Sequence, residues 1–447
     1  MHSAKRLFAA LLCLFSAGVQ AVTLSELGQS ALNNDLSFRA AGKAYEAEQA
    51  EVAAGKSHLL PSVGLSYQNT PYNRLTQRAP VTSQRHYSSH SLNLVVTQPL
   101  FDYTAYHQYR AAQIRGTAAE SRLQIQQAEL INRLVSAYLN LACALELQKT
   151  DRLRLALNTA QLGAAQRLLQ LGEGTVTEVE SARARLRQRQ AQLAETEAES
   201  LHALLILSDL TGLPQLRMQD LPALKAGDFR LPHLNDGDYA AQEQQMQAVH
   251  PEIKAAQQET SLAKAAAEVQ RGAFMPSAQL FAAWSDTRSD SNDTVGQRYR
   301  NLSAGIHLSV PLFSGGKDLA GMRKVSAQIQ QAQYEQDALV QTLRRDLARQ
   351  YQVFRHSGIQ LAALEQAAAA ARLQVTAAEK GYAAGQNSQP EVAHARDQYY
   401  QAEQELIKAR YDGLLAWFRL RHYSSAPETG LFRQIEDYFT VTERPSH

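Results

Sequence analysis

Ser91-Leu92-Asn93-Leu94-Val95-Val96-Thr97-Gln98-Pro99-Leu100-Phe101-Asp102 holds two structural periods in twelve residues. Leu92, Leu94 and Val96 alternate with Ser91, Asn93 and Thr97, the pattern of a strand with one apolar and one polar face. Past the Pro-Leu-Phe step the period changes. No proline occurs from Leu100 to Leu213, and Leu123, Leu130, Leu134, Leu141 and Leu145 recur at near-heptad spacing, the pattern of long packed helices. One helix over residues 101–171 would run about 105 Å at about 1.5 Å per residue. Globular helices usually stop after about 10–14 residues. Asp102 is placed to cap such a helix. A strand that feeds straight into so long a helix is rare in soluble folds.

The same step occurs a second time. Leu302, Ile306, Leu308 and Val310 alternate with Asn301, Ser303, Gly305, His307 and Ser309, and Val310-Pro311-Leu312-Phe313 leads to Ser314, the second candidate cap. Upstream, Arg39–Ala40 through Pro61–Ser62 is echoed by Lys254–Ala255 through Pro276–Ser277. Downstream, Gly172 through Glu178–Val179 is echoed by Gly385 through Glu391–Val392. One unit is therefore duplicated. Each copy reads helix, two strands, very long helix, turn, helix. The expected organisation is a leader over 1–21, a first repeat over 22–213 and a linker over 214–238. A second repeat over 239–426 and a tail over 427–447 follow. Within the repeats, opening helices are expected over 24–60 and 239–275, strands near 62–72, 88–98, 277–286 and 300–310, and helical hairpins over 101–208 and 314–421.

The leader carries Lys5 and Arg6, an apolar run over 7–15 and a small-residue cleavage site at Val19-Gln20-Ala21, the signature of a secretory signal peptide. Export removes Cys13 and leaves Cys143 alone among Leu139, Leu141 and Leu145, where a buried thiol is expected. No later stretch reads as a membrane-spanning helix. A membrane crossing must then use strands, and strands of about ten residues with one apolar face suit a membrane β-barrel. Four strands cannot close a cylinder, and open edges are not tolerated in lipid. Three chains would supply twelve. The formal net charge of +2 gives no reason to invoke nucleic acid. Arg183, Arg185, Arg187 and Arg189 read as a solvated helix face, without the aromatics or motif of a nucleic-acid module.

The turns between helices carry further signals. Gly172-Glu173-Gly174-Thr175 and Gly385-Gln386-Asn387-Ser388 each precede a capping box, Thr175-x-x-Glu178 and Ser388-x-x-Glu391. Taken with the Leu60-Pro61-Ser62 and Met275-Pro276-Ser277 leads and the Pro-Leu-Phe steps, these residues resemble the outer-membrane channel-tunnel family typified by TolC. The resemblance covers essentially the whole mature chain. It implies a mainly α fold with a membrane β-barrel contribution: a homotrimer with a twelve-stranded barrel, a helical periplasmic tunnel and a mixed collar. It also implies that Glu178 and Glu391 lie at the closed periplasmic entrance, with Tyr382 in the bonds that hold it shut. The family's arginine latch position is occupied here by Asn387, and a second acidic position by His394, whose protonation would place positive charge beside Glu391. Opening would be an untwisting about Gly172 and Gly385.

No enzyme chemistry is legible. Ser314-Gly315-Gly316-Lys317 lacks the leading glycine of a phosphate loop, and Asp318 stands where the magnesium-binding hydroxyl belongs. Histidines are scattered without metal-ligand spacing, so neither a metal nor a cofactor is expected. The implied location is the outer membrane of a Gram-negative bacterium, extending into the periplasm, with outer-membrane lipid around the barrel. The implied partners are a periplasmic adaptor and an inner-membrane ABC-type ATPase or other pump. A leader without a lipoprotein cysteine is more like the type I secretion channels than the drug-efflux members, which leaves protein secretion first and drug efflux second. A poreless trimeric coiled-coil envelope protein is the reading from another class.

Overall fold

The structure, a computed structural model, describes residues 22–78, 81–225, 229–232, 238–289, 297–424 and 430–440. The expected leader over 1–21 lies outside the described residues. The elements in order are α1 (Leu24–Asn34), α2 (Leu36–Ser57), β1 (Ser62–Arg78), β2 (Val81–Asp102), α3 (Tyr103–Gln170) and α4 (Val176–Thr211). The second copy follows as α5 (Asp238–Val249), α6 (Pro251–Arg271), β3 (Ser277–Ser289), β4 (Gln297–Ser309), α7 (Lys317–Ala383) and α8 (Gln389–Ser424). A short α9 (Gly430–Glu436) ends the described chain. The chain divides into two compact units.

One unit comprises 42–123 and 252–340. Its sheet has the order β1-β2-β3-β4, every pair antiparallel. Both strand pairs are longer than expected. β1 and β2 stay paired from Ser62↔Thr97 to Arg78↔Val81, well past the expected strand limits near 72 and 88. Tyr72 and Tyr87 face each other across the two strands with ring centroids 5.0 Å apart. The sequence of these added pairs is mostly polar, and period-two hydropathy does not mark a strand without a regular apolar side. The switch from strand to helix is immediate at the first joint: β2 ends at Asp102, α3 begins at Tyr103, and Asp102 Oδ1 accepts the Ala105 N–H at 2.9 Å. At the second joint the expected cap is displaced. Gly315 and Gly316 both take positive φ, α7 begins only at Lys317, and the Ser314 hydroxyl donates to the Asp318 carboxylate.

The other unit comprises 22–41, 124–251 and 341–440 among the described residues. Its core joins Leu24 and Leu27 of α1, Leu130, Leu134, Tyr138 and Leu141 of α3, Trp417, Phe418 and Leu420 of α8, and Phe432 and Ile435 of α9. The opening helices are each broken rather than continuous. Asp35 ends α1 and caps α2, accepting the Phe38 N–H at 2.8 Å. At the equivalent break in the second copy, His250 precedes Pro251, which opens α6. The linker and the tail meet: the Thr440 N–H donates to the Ala223 carbonyl at 2.8 Å and the Lys225 N–H to the Tyr438 carbonyl at 2.9 Å. α3 also corrects the sequence reading, because it contains an 18-residue window of mean hydropathy 1.2, apolar enough to cross a membrane. That window is 56% buried against protein, as in a core helix. Cys143 is half-buried, its thiol pushed up to about 12 by burial and then by Asp412.

Candidate functional site

Both hairpin turns belong to this second unit, and the backbone bonds that end α3 recur at the end of α7. At the first, Gly172 takes φ +77° in the left-handed region, where a side chain is strained. The Glu173 N–H bonds the Leu168 carbonyl at 3.0 Å and the Gly172 N–H the Leu169 carbonyl at 3.1 Å, satisfying the last carbonyls of α3. At the second, Gly385 takes φ +75°, and Gln386 and Gly385 bond the carbonyls of Gly381 at 2.8 Å and Tyr382 at 3.0 Å.

The packing beneath the two turns is exchanged. A Cβ on Gly174 would sit 3.1 Å from Leu168 Cβ, so the small residue is in the turn and the large one on the helix. In the second turn Asn387 replaces Gly174 and Gly381 replaces Leu168, and a Cβ on Gly381 would lie 2.5 Å from Asn387 Nδ2. The Asn387 amide folds into that space and donates to the Ala378 carbonyl at 3.3 Å. Its donor is thus used inside its own hairpin.

The two acidic candidates are both helix caps. Glu178 accepts the Thr175 N–H at 2.8 Å while the Thr175 hydroxyl accepts the Glu178 N–H at 3.2 Å, a complete capping box. In the second hairpin the Ser388 N–H donates to Glu391 at 2.7 Å, but the Glu391 N–H bonds the Ser388 carbonyl instead, at 3.1 Å. Both carboxylates are exposed. Tyr382 is 47% exposed. His394 is exposed, and its Nε2 accepts from the Gln398 amide at 3.1 Å. The hairpins meet at an open groove of about 250 Å³, where Glu173 and Glu178 of the first face Gln389, Pro390 and Ala393 of the second. Glu178 lines this groove; Tyr382, Asn387, Glu391 and His394 do not.

A buried polar cluster further along the hairpins is not legible in the sequence. Arg154 of α3 is 2% exposed, and its Nη1 donates to Gln404 Oε1 of α8 at 2.9 Å. Gln404 in turn donates to Asp151 at 2.7 Å. Asp397 of α8 lies 3.7 Å from Arg154 and accepts from Arg189 of α4 at 3.1 Å. The guanidinium also lies over the Tyr400 ring, 5.8 Å from its centroid. Burial, and then the neighbouring Arg189, pull Arg154 below its ordinary value, opposed by Asp397 and Asp151. Arg189 therefore corrects the reading of 183–189 as wholly solvated: Arg183 and Arg187 are exposed, whereas Arg185 and Arg189, one helical turn apart, face inward. Among the described residues no cluster of three His, Cys, Asp or Glu side chains is placed to hold a metal.

A helix-strand-strand-hairpin unit present twice, with a four-stranded sheet and paired helical tips, is matched by the sequence profile described as "Outer membrane efflux protein", over residues 27–213 and again over 243–425. The chain belongs to the outer membrane efflux protein family. It is 31% identical to the alkaline protease secretion protein AprF of Pseudomonas aeruginosa over 98% of this chain and 92% of that one. It is likewise 31% identical to the proteases secretion protein PrtF of Dickeya chrysanthemi, over 97% of this chain and 94% of that one. Among solved structures it is similar to the open state of the MtrE outer membrane channel of Neisseria gonorrhoeae. There the TM-score is 0.74 at 19% identity, over 92% of this chain and 94% of that chain. The fold is the TolC-like channel-tunnel fold, and the chain is an outer-membrane protein that extends into the periplasm. The relatives it matches are channels and not enzymes.

Proposed function

We propose that three copies of this chain form a passive conduit through the outer membrane for proteins exported by a type I secretion system. The observation that carries this is near-full-length similarity to two relatives named for protease secretion. The sheet supports the assembly: β1 and β4 leave two open edges, which lipid does not tolerate and which three sheets of four strands would close. Energy comes from an inner-membrane ATPase reached through a periplasmic adaptor at the hairpin tips.

The test is export in a bacterium stripped of its own channels, given this chain together with the ATPase, adaptor and protease of a type I system. Protease accumulates in the medium and drug susceptibility is unchanged. Restored drug resistance without protease export would instead assign the chain to efflux, the activity in its family's description.

The tips form the periplasmic entrance. Glu391, exposed and repeated three times around the axis, favours cations there, with Glu178 lining the inter-hairpin groove below. Tyr382 and His394 present exposed side chains to neighbouring copies. Asn387 contributes through its own turn, since its amide is already engaged. Single-channel recordings of Glu391→Gln show reduced cation preference; unchanged selectivity removes Glu391 from the entrance. Opening is a change between two packings of the hairpins about Gly172 and Gly385.

A further inference from the structure

The strand register gives the sheet two faces of different chemistry. Leu65, Leu94, Trp284 and Leu302 form one row across the four strands, and the next row on that face, from Val63 to Ala304, is equally apolar. Such a band meets lipid in a membrane barrel, and the alternate residues then face the bore. The central row of that second face is Ser66, Asn93, Ser285 and Asn301. From the row of Ser62 to the row of Gln68 it holds sixteen positions, occupied by Ser, Thr, Asn, Gln, Gly, Ala, Val, Phe and Tyr alone. None of these described positions carries a charge.

Side-chain contacts agree with this sorting. The hydroxyls of Ser62 and Thr97 lie 2.6 Å apart across the first strand pair. A Cβ on Gly305 would meet the Phe281 ring at 3.2 Å, so the ring covers Gly305 from the same side. The Gln68 amide donates to the Thr70 hydroxyl, two residues on, at 3.1 Å. The same four stretches of strand do carry two charged residues, Asp286 and Arg300. Both stand on the apolar-banded face, where Arg300 Nε donates to the Asp286 carboxylate at 3.3 Å. Charged residues make up 20% of the chain, so composition alone does not leave the other face neutral.

A fixed charge facing a water-filled bore concentrates mobile ions of the opposite sign. An unfolded protein carries both signs, so a charged ring would retain some of its segments and repel others. Hydroxyls and amides both donate and accept hydrogen bonds, and they offer peptide groups the same partners whatever charge is nearby. We infer that the barrel wall does not sort its cargo by charge: acidic and basic stretches of an exported polypeptide pass Ser66, Asn93, Ser285 and Asn301 alike. Selection by charge is left to the helical entrance. The inference rests on the conduit reading. It is confined to these four rows, since Asp290 and Asp293 lie outside the described residues.

The test uses single cysteines in a Cys143→Ser background of the detergent-purified full-length assembly, in 0.15 M salt. Charges more than about 8 Å away are largely screened there. Ser285 is about 13 Å along its strand from Ser289, the last residue described before 290–296. The probes are a cationic trimethylammonium and an anionic sulfonate methanethiosulfonate, each rate scaled to that reagent's rate on 2-mercaptoethanol. Ser285→Cys and Asn301→Cys react with both, at scaled rates within about threefold of each other. Leu302→Cys, on the apolar face, reacts with neither. Two lining positions are used so that one that fails to assemble leaves the other. Ser285→Asp placed beside Asn301→Cys favours the cation about fivefold. A larger preference than threefold without that carboxylate, no shift on adding it, or a reactive Leu302→Cys with protected lining cysteines overturns the inference. Assembly mass and bilayer conductance are measured on the same samples. Biased labelling in a conducting trimer counts against the neutral wall alone, whereas absent conductance in the wild type counts against the conduit.

Discussion

The turn at Gly172 and the turn at Gly385 carry the same backbone hydrogen bonds over opposite side-chain arrangements. Leu168 fills the space above Gly174 in one, and Asn387 fills the space above Gly381 in the other. A left-handed glycine cap tolerates either arrangement provided that one of the two facing residues is small. Duplication has thus conserved the geometry while the volume moved from one partner to the other. The same lesson holds at the helix breaks. Asp35 of the first copy is an engaged anion: burial raises its pKa, but bonds from Ser37, Phe38 and Arg133 outweigh this and hold it below the usual carboxylate range. His250 at the matching break is held neutral, lowered to about 4 by burial and then by His422. Its Nδ1 has no hydrogen-bond partner among the described residues.

The largest expected effect lies where the two copies meet. Arg154→Met leaves Asp151 and Asp397 without their buried partner, a loss of roughly 3–5 kcal/mol. Hydrogen exchange around 151–158 and 397–404 measures it. Arg183→Gln on the exposed face of α4 breaks only a surface pair with Glu180 and costs under about 1 kcal/mol. Equal effects would mean that the cluster does not join the hairpins.

The pair Asp35 and His250 predicts an order of acid responses. The folded chain keeps His250 unprotonated between its ordinary 6.5 and about 4, whereas the unfolded chain takes up the proton. Stability therefore falls as pH drops through that window, by roughly 3 kcal/mol per chain. Asp35, depressed in the folded state, contributes stability above 3.8 that is lost only as pH falls below it. Thermal midpoints from pH 7.5 to 4 check this, and His250→Gln flattens the decline. An unchanged slope would assign the acid response to other groups.

The exchanged turns can be tested by exchanging them back. Gly381→Leu alone overpacks against Asn387 and costs about 1–3 kcal/mol. Adding Asn387→Gly recovers most of it, with a coupling of about 1–2 kcal/mol in exchange protection of the turn. Additive effects would mean that the two residues do not share a space. The smallest effect separates the capping boxes. Thr175→Ala removes an accepting hydroxyl and costs about 1 kcal/mol, whereas Ser388→Ala keeps the backbone donor and costs a few tenths. Proteolysis rates at the two turns report this difference.

The features legible in the sequence are those repeated locally. The change of period at Gln98–Phe101, the glycine turns and the alternation along Leu92–Val96 all declare themselves within a dozen residues. What escaped depends on distance or on mixed polarity. Arg154 and Gln404 meet across more than two hundred residues of chain, and no local spacing marks Arg189 as inward-facing among the recurring arginines of α4. The pairs that extend β1 and β2 beyond 72 and 88 come from mostly polar sequence, so pairing there leaves no hydropathy trace. The break at Asp35 is a side-chain cap hidden in an otherwise helical pattern, while Pro251 at least signals its counterpart. At the candidate site, the resemblance identified the tips but not the engagement of Asn387 within its own turn.

The central claim is that one chain supplies a third of a closed cylinder. The mass of the detergent-extracted protein under native conditions tests it most directly. The account predicts a single species of three chains, stable without added partners. A monomer that stays dissolved once detergent is removed would contradict it.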